Sequence, residues 1–205
     1  MNNSQIATAV AIRDLNCYSL ETIDDRILLQ KKIYLAQDIG LPLGYGYSWY
    51  IHGPYSPDLT AAAYQIIPEE ITAIENHSFR EPYASMISRV NELENELAHQ
   101  SFKISVVKWY ELIASIAYWH KFGFNTEEKA IQKIRETNPQ FTEEQIKAGY
   151  STIRRCLYQC MTREEHEILH SRKEETDHVE QTEAAVQGGA HGIPAETARA
   201  GYERA

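Results

Sequence analysis

Residues that cross-link or interrupt a chain are scarce here: 205 residues include 3 cysteines, 7 prolines and 10 glycines. Three cysteines are an odd number, and Cys17 stands far from Cys156 and Cys160. No disulfide framework is expected, and the usage suits a reducing, cytoplasmic setting. No run approaches the roughly 20 uninterrupted apolar residues that a membrane-spanning helix needs. The opening residues Met1 to Gln5 lack the basic start and apolar stretch of a secretory signal. Bases are outnumbered, with Lys plus Arg at 20 against Asp plus Glu at 29 and a net charge of −9. That balance argues against a protein whose main affinity is for phosphate backbones, because such affinity is largely electrostatic. There is no G-x-x-x-x-G-K-[ST] run for a nucleotide and no G-x-S-x-G elbow for a nucleophilic serine. Gly40, Gly44 and Gly46 follow a helix and enter a strand, the reverse of a phosphate-cradling order. No nucleophile–base pair can be assigned, so neither enzymatic activity nor a cofactor is expected.

What the chain does have is helical periodicity. Ile6 and Val10 mark a short opening helix that stops near Asn16. From about Asp24 to Ile39, Leu28, Leu29, Ile33, Leu35, Ala36 and Ile39 mix three- and four-residue spacings, which predicts a helix with a wide buried stripe. Gly40 suits its C-terminal cap and Pro42 prevents its resumption. Tyr45, Tyr47, Trp49 and Ile51 alternate with small or polar residues, the period of a half-buried strand, with Gly53 and Pro54 turning the chain out of it. Ser56, Pro57 and Asp58 then supply a hydroxyl cap, a proline at the first helical position and an acid at the positive dipole end. Residues 82–99 read as an amphipathic helix with Met86, Val90, Leu93 and Leu97 on one face. Residues 104–121 are apolar nearly all round and predict the central core helix. Two shorter helices should begin near Asn125 and Thr142.

Composition shifts after Met161. Residues 162–205 hold ten acidic and five basic residues and few large apolar ones. They read as a solvated helix to about Gln187 and a tail that orders only on a partner. The expected fold class is therefore mainly α: one helical domain over 1–161 with a small β-hairpin or wing, followed by a charged C-terminal helix and tail.

Four groups of side chains invite a functional reading. His166, Glu167 and His170 form H-E-x-x-H, which on a helix can share zinc with the glutamate as general base. Their flanks are charged and no third ligand is placed, so two surface histidines are the preferred reading and no metal site is assigned. Cys156 and Cys160 with the same histidines make a Cys2His2 set whose connection is too short for convergence. Arg26, Lys31 and Lys32 on the second helix, and Arg154 and Arg155 later, are basic clusters. Interspersed acids make a mixed solvated face, while direct nucleic-acid contact by a winged helical regulator stands as the alternative. Residues 49–57 are densest in information. Tyr47 and Trp49 are explained by packing, whereas Tyr50, His52 and Tyr55 suit an interface of aromatic rings with polar tips.

Leu29 to Gln37 (LQKKIYLAQ) followed by Trp49 to Pro57 (WYIHGPYSP) resembles the L-Q-K-x-x-Y-x-x-Q … aromatic-x-x-x-G-P-x-x-P pattern of Panacea-type (SocA-like) antitoxin domains. It is also similar to related bacterial and archaeal helical proteins whose turn reads Y-G-P-Y-S. The likeness covers residues 26–60 well and the helices to about 160 in outline, while the acidic segment after Thr162 has no counterpart. What the resemblance implies is a mainly helical fold and a non-catalytic protein-binding module. Such a module would neutralise a toxin or bridge a defence ATPase or nuclease effector, with DNA reached only through the partner and no membrane involved. Tyr50, His52, Tyr55, Arg26 and Lys31 are the residues expected at the protein interface. A zinc hydrolase built on residues 166–170 is the remaining alternative.

Overall fold

The computed structural model describes residues 3–66, 74–159 and 167. Thr22 opens α2 (Ile23–Asp38), which follows α1 (Asn3–Asp14). The Thr22 hydroxyl accepts from the Asp25 amide at 3.1 Å while the Asp25 carboxylate accepts from the Thr22 amide at 3.0 Å, so two otherwise orphaned donors are satisfied reciprocally. At the far end Gly40 takes φ of 120°, which lets the Leu41 amide return to the Ala36 carbonyl at 2.9 Å. A two-stranded antiparallel hairpin comes next, β1 (Ser48–Tyr50) and β2 (Gly53–Tyr55), then α3 (Pro57–Ile66), capped by Ser56. The helices α4 (Tyr83–Ala98), α5 (Val106–Lys121), α6 (Glu127–Thr137) and α7 (Glu143–Thr152) complete the order, and α7 runs into a π-helical turn at Ile153–Tyr158. The chain is mainly helical with a small hairpin.

The core lies where the periodicity placed it. In α5 Trp109, Tyr110, Leu112, Ile113, Ile116 and Ala117 are all buried. Its two fully buried aromatics keep their polar atoms satisfied, because the Trp109 indole donates to the Leu93 carbonyl at 2.7 Å and the Tyr110 hydroxyl to Val90 at 2.8 Å. α2 packs against α5, α4 touches both, and α6 and α7 pack on α5 and on each other. Gly149 lets α7 approach closely: a Cβ there would sit 3.0 Å from Ile116.

Three local expectations need correcting. The helix α6 is capped by Thr126, one residue beyond Asn125. The extended segment is paired over three residues only, and Gly53 and Pro54 belong to its second strand instead of ending it. The chain reverses at Ile51 and His52, so Ile51 does not continue the inward alternation and stands 70% exposed. Finally, Lys31 and Lys32 do not lie on a solvated face, since both are buried. Thr162, Cys160, His166, His170 and the whole of 168–205 lie outside the described residues.

Candidate interaction site around the hairpin

α2 anchors the hairpin by side chains that act like a neighbouring strand. The Gln30 carboxamide accepts from the Ser56 amide and donates to the Ser56 carbonyl, both at 2.9 Å. Two turns on, Gln37 accepts from the Tyr45 amide at 3.2 Å and donates to its carbonyl at 3.1 Å. Each amide thus satisfies both backbone groups of one residue, so Tyr45 needs no strand partner. Between the two clamps the Lys31 Nζ donates to the Pro54 carbonyl at 2.6 Å. Tyr34, one turn further along, packs edge-on against Tyr47 with ring centroids 4.9 Å apart. The two halves of the pattern, LQKKIYLAQ and WYIHGPYSP, are therefore one structural unit.

Beneath the hairpin turn a buried carboxylate gathers partly exposed polar partners. Glu111, on the face of α5 opposed to β2, has no exposed surface. One carboxylate oxygen is 2.9 Å from Lys108 Nζ and 3.3 Å from His52 Nδ1, and the other accepts from Gln140 at 2.9 Å. Ser115, one turn along, donates to the Glu111 carbonyl at 2.7 Å and sits against Gly53. Gly53 has φ of 88°, and a Cβ there would lie 2.6 Å from Ser115 Oγ. Only glycine fits both the left-handed backbone and that close approach. Burial pushes the Lys31 amine down to about 7, partly offset by the negative charge of Glu111.

The outward face carries the exposed apolar groups. Tyr50 is 56% exposed, and its ring lies 5.5 Å from that of half-buried Tyr55, whose hydroxyl accepts from Thr60. On the other face, Trp49 touches Tyr118 and Trp119 with centroids at 5.4 and 4.7 Å. These rings continue to Phe122, which is 60% exposed, and Lys133 Nζ lies 4.5 Å over the Trp119 ring. Nearby, Asp38 is held by the Tyr158 hydroxyl at 2.8 Å and by Lys121 at 2.7 Å.

Comparison with known proteins returns no match, whether to a family model, to a curated sequence or to a solved structure. The site therefore rests on its own geometry.

Of the five residues expected at an interface, Tyr50, His52 and Tyr55 gather at the hairpin, with Tyr50 the most exposed of them. Arg26 is drawn inward, donating to the Leu20 and Glu21 carbonyls at 2.8 and 3.1 Å. Lys31 is internal, and Lys32 donates to the Leu15 carbonyl at 3.0 Å, so the basic cluster on α2 is no surface patch. Arg155 pairs with Glu96 on α4, while Arg154 is exposed. Cys156 is a buried thiol within the π-helical turn. Among the described residues no cluster of three His, Cys, Asp or Glu side chains could hold a metal ion. Among those residues too, no helix is long and apolar enough to cross a membrane. Sequence reasoning missed Glu111, Ile51 and Phe122. A signal existed for the first: Glu111 is the one acid in the mainly apolar run from Val106 to Ala117.

Proposed function

We propose that this chain is a non-catalytic protein-interaction subunit, adaptor- or antitoxin-like, of a bacterial toxin–antitoxin or phage-defence system. It restrains or bridges a larger effector or an ABC- or SMC-like ATPase by burying the hairpin on it. The observation that carries the reading is the contrast at residues 48–55. The backbone is clamped by Gln30 and Lys31, yet Tyr50 and Ile51 project 56% and 70% exposed from its tip. A large aromatic and a branched aliphatic held on a fixed support lose little entropy on binding, which is the physical requirement for an anchor residue. The Gln and Lys of the family-like pattern are absorbed in building that support, so contact falls to the turn.

Co-expression with the products of neighbouring genes, followed by gel filtration, tests this. A co-eluting complex is expected, with Tyr50→Ala combined with Ile51→Asp weakening it by about 30-fold or more, the loss typical of a central anchor. No complex with any neighbour, or a complex indifferent to the pair of substitutions, would remove the reading.

A further inference from the structure

Lys31 sits where an ammonium ion is poorly served. It is 2% exposed, and among the described residues its one hydrogen bond is to the Pro54 carbonyl. With that one bond a neutral amine leaves a single N–H unpaired, whereas an ammonium would leave two N–H groups and a full charge in a dry site. Among the described residues no carboxylate forms an ion pair with it. Glu111, whose charge does act on the amine, is already engaged by Lys108, His52 and Gln140. The groups facing Lys31 are thus Glu111 and, behind it, Lys108 from α5, and His52 from the hairpin. On α2 itself Lys32 reaches Leu15 and lies 3.9 Å from Glu94 of α4. From the α3 side Ser56 and Thr60 are bonded to Gln30, and Asp58 stands in the first turn of the helix.

We infer that Lys31 makes the hairpin a proton-controlled latch: it is held as a neutral amine while residues 48–55 are seated, and taking up one proton favours their release from α2 and α5. The seated hairpin is what excludes water from Lys31, since Pro54 is its partner and Gly53 its neighbour. Release returns the amine to water, where it binds a proton readily. The direction follows from linkage. Seated, the amine titrates near 7, and released it returns to its ordinary 10.5. Between those limits each unit of falling pH raises the opening equilibrium about tenfold, and below about 7 the dependence levels off because both states are protonated. That the latch sets how Tyr50 and Ile51 are presented to a partner rests on the docking reading above; the latch itself does not.

Hydrogen exchange of the full chain between pH 6 and 9, corrected for intrinsic rates, tests it without any partner. Opening of residues 45–56 should rise about tenfold per unit from pH 9 to 7 and flatten below, with those amides exchanging faster than α5 at every pH. In Lys31→Met the slope should vanish. A flat profile in the natural chain, the same slope in Lys31→Met, or exchange of 45–56 no faster than α5 overturns the latch, whether or not any partner binds. Because Lys31→Met could misfold, the Lys31 Cε resonance of the unaltered protein supplies the second measurement. It should titrate well below the surface lysines, and titration together with them overturns the proposal.

Discussion

At the scale of single residues, Gly53 carries the sharpest constraint. A Cβ there meets Ser115 Oγ at 2.6 Å, but the Ser115 Cβ only at 3.8 Å, an ordinary contact. Two costs therefore separate. Gly53→Ala in the natural chain should lose about 2–4 kcal/mol, from left-handed strain and overpacking together. In a Ser115→Ala background the clash is gone and about 1–2 kcal/mol of backbone strain should remain. Urea denaturation of the four variants gives the coupling directly. Equal losses in both backgrounds would mean that the close approach is relieved in some other way. Glu111 behaves differently, because three side chains from separate segments converge on it. Glu111→Ala should destabilise by about 1–3 kcal/mol, from the lost hydrogen bonds and packing of a buried side chain, because Lys108, His52 and Gln140 are exposed enough to turn to water.

At the scale of elements, the hairpin is held by α2 and not by a sheet. Two strands of three residues are too short to stand alone in water. Gln30 and Gln37 provide the missing partner, each pairing with both backbone groups of one residue. Gln30→Leu keeps the volume but removes the pairing at Ser56, leaving buried backbone groups unsatisfied. About 1–3 kcal/mol should be lost, and hydrogen-exchange protection should fall at residues 53–56 more than in α5. Gln30→Glu should do worse than Gln30→Leu, because it keeps an acceptor for the Ser56 amide but sets a carboxylate against the Ser56 carbonyl. The helix packing shows the same dependence on close fit. Gly149→Val would press a branched side chain onto Ile116 and Leu112, and thermal denaturation should report a loss of at least about 1 kcal/mol.

At the scale of the whole molecule, buried titratable groups shape stability against pH. Lys31 titrates near 7 when folded and at 10.5 when unfolded, so between these values the unfolded chain binds more protons. Its contribution makes stability rise with pH across that window, by at most about 1.4 kcal/mol per unit. Cys17 acts in the opposite sense, because burial pushes its thiol from 9.0 up to about 12. From pH 9 upward the unfolded chain loses that proton first, and stability falls. The two terms cancel between about 9 and 10; from about 10 the buried tyrosines Tyr34, Tyr47 and Tyr158, all raised, add to Cys17, and above 10.5 nothing from Lys31 opposes them. Denaturation midpoints should climb from pH 7 to 9, level off, and drop steeply above 10.5. Lys31→Met should abolish the climb and leave the alkaline drop in place.

Helices, caps and the buried stripe were legible in the sequence because they follow from local spacing. Ser56 and Thr142 sit one step before runs that can bury an apolar face, which neighbouring residues indicate, although the cap of α6 fell at Thr126 and not Asn125. The α5 core helix was legible for the same reason. The fate of charged side chains was not, since it depends on what folds over them. Lys31 and Lys32 look like a solvated basic pair in one dimension, yet the hairpin and the Leu15 carbonyl cover them in three. The hairpin was legible as an extended segment but not as three-residue strands, because its flanks at Tyr45 and Ser56 are held by two glutamine side chains 8 and 26 residues away instead of by longer strand pairing. Periodicity determines which face of a segment avoids water; only the assembled chain decides which polar groups end up with no water left to meet.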